Sequence, residues 1–232
     1  MKDIKIVTAF FDIDRGNSEY INLRRSVETY FDYFKFWARI QNDLIVYCAL
    51  EHIGKIKKIR EDFGRFNTTI IPVGNIYGIE PFLFNRMLDV ENDPVFHTFR
   101  QRKVIENTAK YDYIMLLKAW CLQDAAQRIN EDCNLAWIDF GYNHGDSFYT
   151  DSSDFDFYWK WDFPEKISIL GSKNPAEASV VDLLHSVLEV LRGSLIVIPK
   201  HMASSLLAII KSRLFISRSM PSSVTNFSPA FA

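Results

Sequence analysis

No stretch of this chain is apolar for the roughly 20 residues that a helix needs to cross a bilayer. The first residues, Met1-Lys2-Asp3-Ile4-Lys5, place charges where a secretory signal needs an apolar core. Both absences predict a cytoplasmic protein, with peripheral attachment to a membrane left open. Cysteine is scarce: Cys48, Cys121 and Cys133 are far apart, with no CxxC and no Cys/His ligand spacing. That pattern argues against a zinc module or a disulfide framework and predicts reduced, buried thiols. Positive charge is not in surplus either. A formal net charge of −2 argues against nucleic acid as the main partner, although a local basic face can still bind phosphate. A Gly-x-Ser-x-Gly elbow and a Walker loop are both missing, so hydrolase and P-loop assignments have no support. Carboxylates also run out early, since no Asp or Glu follows Glu189.

What is present is apolar bulk. Hydrophobic residues make up 48% of the 232 positions, with 19 Phe and 10 Tyr, enough for a substantial core. Residues 4–11, 44–49 and 68–73 read as buried strands. Between them lie a helix that Ser18 could cap, carrying Tyr20, Tyr30, Phe31, Phe34 and Trp37, and a short basic helix over 54–63. In the second, Lys55, Lys57, Lys58 and Arg60 alternate with Ile56 and Ile59. This β-α-β-α-β opening predicts an α/β domain with a mostly parallel sheet and right-handed crossovers. Residues 75–93 read as loop or irregular helix, with Pro81 and Pro94 as breakers. Two helices follow, over 96–108 and 114–130, separated near Tyr111-Asp112-Tyr113. Further strands are expected at 135–139, 167–170 and 194–198, and helices at 176–191 and 203–214. The acidic-aromatic segment 150–161 fits an edge strand or a lid. Residues 215–232 lack period and acidic residues, with Arg218 their one charge, and read as an irregular tail. The organisation is therefore one domain over 1–214 followed by a tail over 215–232.

The densest chemical signal is Trp137-Ile138-Asp139-Phe140-Gly141-Tyr142-Asn143-His144-Gly145. An apolar strand ends at a carboxylate, and ligands of open α/β sheets bind at strand carboxyl ends. Asp139 there could hold a divalent cation shared with a diphosphate, because hard cations take oxygen ligands. It could equally start an Asx-turn, with Gly141 supplying an unusual backbone angle. Arg15, just after the first strand, could contact phosphate through its planar fork or could be solvated. Arg25 reads as a surface charge. The basic run from His97 to Lys103 reads as a solvated helix face. Lys118 lies in an apolar stretch and must be paired or contact substrate, with Asp112 and Asp124 as the competing partners. Tyr142 and His144 could meet a sugar or base, or simply occupy a loop. Asp151, Asp154 and Asp156 allow a glycoside-hydrolase reading, which needs two carboxylates flanking a bond.

Three segments, taken in order, add a resemblance. They are Ile6-Val7-Thr8-Ala9-Phe10-Phe11-Asp12-Ile13 with Arg15-Gly16, then Tyr33-Phe34-Lys35-Phe36-Trp37-Ala38, then Trp137-Ile138-Asp139-Phe140-Gly141. Over residues 4–200 the chain resembles the bacterial HtrL/YibB proteins. That resemblance implies a single GT-A-like, nucleotide-diphospho-sugar transferase domain. It implies transfer of a sugar from a nucleotide-sugar donor to a lipopolysaccharide-core or other surface-glycan acceptor. Asp139 would hold Mn²⁺ or Mg²⁺, and Arg15, Lys118 and His144 would contact the nucleotide-sugar. Gly141 stands where an Asp-x-Asp motif would have its second acid. Family members look longer beyond Lys200, so the acid-free end resembles a truncated or altered C-terminus. The alternative is a catalytically impaired remnant or interaction protein that retains the fold.

Overall fold

Residues of alternating side face two different cores in the first strand, β1 (Asp3–Phe10). Ile4, Ile6 and Phe10 enter one apolar cluster, whereas Val7 enters another. A strand buried on both faces belongs in the middle of a covered sheet, and β1 is there. The computed structural model describes residues 1–17, 24–94, 108–142, 151–171 and 191–216. Its strands form a six-stranded sheet with β2 (Leu44–Cys48) and β3 (Thr68–Pro72) on one side of β1. On the other side lie β4 (Cys133–Ile138), β6 (Leu191–Pro199) and β5 (Ser168–Gly171), in the order β3-β2-β1-β4-β6-β5. The first four strands run parallel, with Ile6 opposite both Leu44 and Ala136, and β6 runs antiparallel to β4 and to β5. The α/β class and the mostly parallel sheet agree with the sequence reading.

Helices cover both faces. α1 (Val27–Trp37) contributes Phe31, Phe34 and Trp37 to the first core, and α2 (Ile53–Asp62) contributes Ile56 and Ile59. α3 (Pro81–Glu91), α4 (Ala109–Arg128) and α5 (Ala203–Ile216) cover the other face through Leu83, Tyr113, Leu117, Leu122 and Ala203. The Lys211 ammonium pairs with Glu80, tying α5 to the residue before α3. Ile209 stays exposed on α5, as the apolar composition of that helix predicts. Among the described residues no helix is long and apolar enough to cross a membrane.

Several local expectations change. Ser18 lies outside the described residues, and the cap of α1 is Ser26, whose hydroxyl accepts from the Thr29 N–H at 3.2 Å. Residues 81–91 form a helix where a loop or irregular helix was expected. Pro81 sits in its first turn, where a missing N–H costs nothing. α4 runs straight through Tyr111-Asp112-Tyr113, because Thr108 caps it by accepting from the Tyr111 N–H. The expected helix over 176–191 falls largely outside the described residues, as do nearly all of 96–108 and the tail from 217. Segment 151–161 is not an edge strand. After a 3-10 turn at Ser152–Phe155 it packs on the chain that follows α1, with Trp159 N–H donating to Asn42 Oδ1 at 2.7 Å and Gln41 N–H to the Phe157 carbonyl at 2.9 Å. Tyr158 hydroxyl reaches Asp3, at the amino end of β1, whereas Phe155 packs on Tyr142, just past the end of β4.

One charge of the basic helix is wholly buried. Arg60 donates to the carbonyls of Ala38 (2.7 Å), Ile40 (2.6 Å) and Asn42 (3.2 Å), and to Thr68 Oγ1 at 2.8 Å. Burial pushes its pKa down to about 10, with Arg65 adding to the shift, so it remains charged at neutral pH. Arg60→Met would keep the stem and strand three carbonyls without donors. We expect a loss of roughly 3–5 kcal/mol, read as a lowered urea midpoint with an unchanged m-value.

Candidate functional site

The chain leaves β1 through a tight polar turn. Asp12 Oδ1 accepts the Asp14 N–H at 2.8 Å, and Asp14 takes a left-handed φ of 65°, tolerated best by Asp and Asn among side-chain-bearing residues. Asn17 locks this turn by donating to Asp14 Oδ1 at 2.6 Å. The turn carries Arg15 back beside α1 and α4. Its Nη1 donates to the Tyr30 hydroxyl at 3.2 Å, and its guanidinium carbon lies 5.2 Å from the Tyr111 ring centroid. Arg25 N–H donates to the Arg15 carbonyl at 3.4 Å, holding the chain before α1 alongside.

β4 ends next to β1. Asp139 N–H still donates to the Ser194 carbonyl at 3.0 Å, and the Asp139 carbonyl accepts the Tyr142 N–H at 2.8 Å, so the chain turns at once. Gly141 is set by space and not by a left-handed backbone angle, the reason weighed from the sequence. A Cβ there would stand 3.1 Å from Tyr30 Cε1, closer than packed atoms ordinarily come. Its absence lets the Tyr30 ring lie against the turn. The Asp139 side chain makes no Asx-turn contact. Its Oδ1 accepts the Trp137 indole N–H at 2.6 Å and lies 2.7 Å from Lys118 Nζ.

Lys118 is thus paired, as burial demands, but with neither Asp112 nor Asp124. Its side chain is 8% exposed, and Nζ also donates to the Gly193 carbonyl of β6 at 2.9 Å. Asp124 is instead engaged by Arg128 and by the Tyr47 hydroxyl. Lys118 and Asp139 line one cleft with Arg15 at the carboxyl ends of β1 and β4. Arg15, Arg25 and Lys118 face Asp12 and Asp139 there, with Tyr30 and Tyr111 as aromatic walls. Burial raises the Tyr111 pKa, with Arg15 opposing and Asp139 adding to the rise, so its hydroxyl stays protonated at neutral pH.

Of the residues singled out in the sequence, Arg15, Lys118 and Asp139 come together. His144 lies outside the described residues, as does the basic run from His97 to Lys103. Tyr142 packs edge-on against Phe155 at 6.2 Å. Arg25, expected on the surface, lines the cleft. Asp12, Tyr30 and Tyr111 were not singled out. Asp12 carried a readable signal, a carboxylate directly after a buried strand, whereas the tyrosines looked like ordinary helix aromatics. The acids of 151–156 are not among the residues that line the cleft at the strands' carboxyl ends. Hydrogen bonds to Ser153 hold the Asp151 carboxyl below its usual range, and Gln41 and Arg65 do so for Asp156. Neither has the raised pKa of a general acid.

Residues 2–219 match the family described as "Bacterial protein of unknown function (HtrL_YibB)". The chain belongs to this family. Protein HtrL of Escherichia coli (strain K12) is 30% identical over 149 residues, covering 60% of this chain and 51% of HtrL. The match to this HtrL_YibB chain therefore spans about half the length of that curated relative. Among solved structures, apo mouse xyloside xylosyltransferase 1 aligns with a TM-score of 0.41 and 11% identity, over 92% of this chain and 76% of that one.

A resident Mn²⁺ or Mg²⁺ at Asp139 can be tested against this donor set. Among the described residues, no three His, Cys, Asp or Glu side chains gather as ligands. The Asp139 oxygen Oδ1 already receives an ammonium and an indole N–H. Two unit charges about 4 Å apart interact by about 4 kcal/mol at an effective dielectric of about 20, so a dication on this oxygen would meet roughly twice that repulsion from Lys118. The described residues do not fit a metal. Asp139→Asn should expose the strength of the pair, since it leaves the Lys118 charge without its counter-ion. We expect a stability loss of roughly 1–3 kcal/mol, below the range for fully buried pairs because Asp139 is partly open to solvent. Urea denaturation measures it, and an unchanged midpoint would show that the pair contributes nothing.

Proposed function

We propose that this HtrL_YibB protein is a glycosyltransferase of the GT-A type that binds a nucleotide-sugar through its diphosphate in the cleft beyond β1 and β4. The observation that carries this reading is the position of the cleft. From β1 the sheet extends to β2 on one side and β4 on the other, and ligands of open α/β sheets enter at such a switch point. The chemistry agrees. Three cationic side chains outnumber two carboxylates, and tyrosine rings beside them suit a nucleobase or a ribose. As the bond between sugar and diphosphate breaks, negative charge grows on the departing phosphate. Preorganised cations in a partly dry cleft stabilise that charge without reorganising. Arg15 offers a planar fork for bidentate contact with phosphate oxygens. Asp139 acts through Lys118 by fixing where its ammonium stands. The acceptor class, a lipopolysaccharide-core or other surface glycan, rests on the family resemblance. A protein that meets such an acceptor would work at the inner membrane's cytoplasmic face.

The test is consumption of nucleotide-sugars by the purified chain, followed as release of nucleoside diphosphate. Arg15→Ala should lower kcat/KM by roughly tenfold or more, the loss of one charge-assisted contact of about 1.5–3 kcal/mol. Nucleotide binding without turnover would favour the impaired-remnant alternative. Neither binding nor turnover with any nucleotide-sugar would end the glycosyltransferase reading.

A further inference from the structure

We infer that Lys118 is the resident cation of this cleft and receives the diphosphate itself, so that nucleotide binding needs no divalent metal. The inference rests on the nucleotide-sugar reading above and goes beyond it by naming what supplies the charge. Lys118 projects from α4 into the space between β4 and β6, where an unpaired ammonium would be costly. Its Nζ sits 2.7 Å from Asp139 Oδ1 and 2.9 Å from the Gly193 carbonyl. An ammonium has three N–H donors. Two are taken by these oxygens, and the third is left for a group entering the cleft that Lys118 lines. The Trp137 indole N–H bonds the same Asp139 oxygen at 2.6 Å, so the carboxylate that positions Lys118 is itself held from a second side.

The placement has a direct chemical consequence. A strand-end carboxylate is a place to bring a cation to a diphosphate, and here that carboxylate already holds one, covalently part of the chain. Arg15 and Arg25 stand in the same cleft, so the positive charge needed for a diphosphate is present without an added ion. Gly141, where a second strand-end acid would strengthen a metal site, is crowded by the Tyr30 ring, which a side chain there would have to displace. The described donor set therefore favours anion binding over metal binding.

Calorimetric titration of the full chain decides the matter. Uridine, guanosine, cytidine and thymidine 5′-diphosphates are titrated in buffer with EDTA and again with MnCl₂. The expected result is a nucleotide whose Kd is the same within about twofold in both buffers, and which Lys118→Met weakens by roughly tenfold or more in EDTA. Near-ultraviolet circular dichroism checks that the variant is folded, and the wild-type arms remain decisive if it is not. Binding seen only with Mn²⁺ would overturn the role given to Lys118 while leaving the nucleotide reading in place. Unchanged affinity in folded Lys118→Met would overturn it as well. No binding of any of these diphosphates in either buffer would remove the nucleotide reading and this inference together.

Discussion

β1 and β4 run parallel and side by side, while the chain leaves β1 toward β2 on the opposite flank. The strand order therefore changes direction between β1 and β4, and among the described residues a cleft lies at their carboxyl ends. The crevice left there is a consequence of strand order. The described residues of the cleft depend on it. The turn after β1 supplies Asp12 and Arg15, the end of β4 supplies Asp139, and α4, packed on that side of the sheet, supplies Lys118.

The antiparallel strand β6 completes this arrangement. By pairing with β4 it brings the Gly193 carbonyl to within 2.9 Å of Lys118 Nζ and holds Asp139 N–H at Ser194. A cation inside an apolar helix face is tolerable only when its donors are met, and here a carboxylate and a backbone oxygen from two strands meet them. The pair also couples distant parts of the chain. β6 and the end of β4 thus both hold the ammonium that lines the cleft.

The opposite, amino end of the sheet is built the other way. Arg60 spends its donors on carbonyls of the segment between α1 and β2, and Asn42 bonds the carbonyls of Ile4 and Trp159. These polar groups face inward and are satisfied, so they fix loops in place and leave nothing for a ligand. The two ends therefore differ, one being taken up with anchoring and the other holding the cleft proposed for binding. Lys118, with one donor left over, differs from Arg60 in that respect more than in charge.

Taken alone, the sequence determined the α/β class, the position of most strands and the strand-end carboxylate, because period and abrupt polarity changes are local properties. It marked Lys118 as a charge needing a partner and Arg15 as a cation following a strand. Local signals failed where a single side chain reset a boundary. Thr108 carries α4 through Tyr111–Tyr113, and Pro81 opens a helix when it might have closed one. The partner of Lys118 was not legible, since Asp112 and Asp124 were nearer in sequence and Asp139 became its neighbour only through the packing of α4 on β4. Gly141 is explained by Tyr30, and Arg25 lines the cleft with its N–H bonded to the Arg15 carbonyl. Composition and spacing set which residues could do chemistry. Strand order and helix packing decided which of them met, because a contact between residues far apart in the chain is fixed by the shared core and by no local preference.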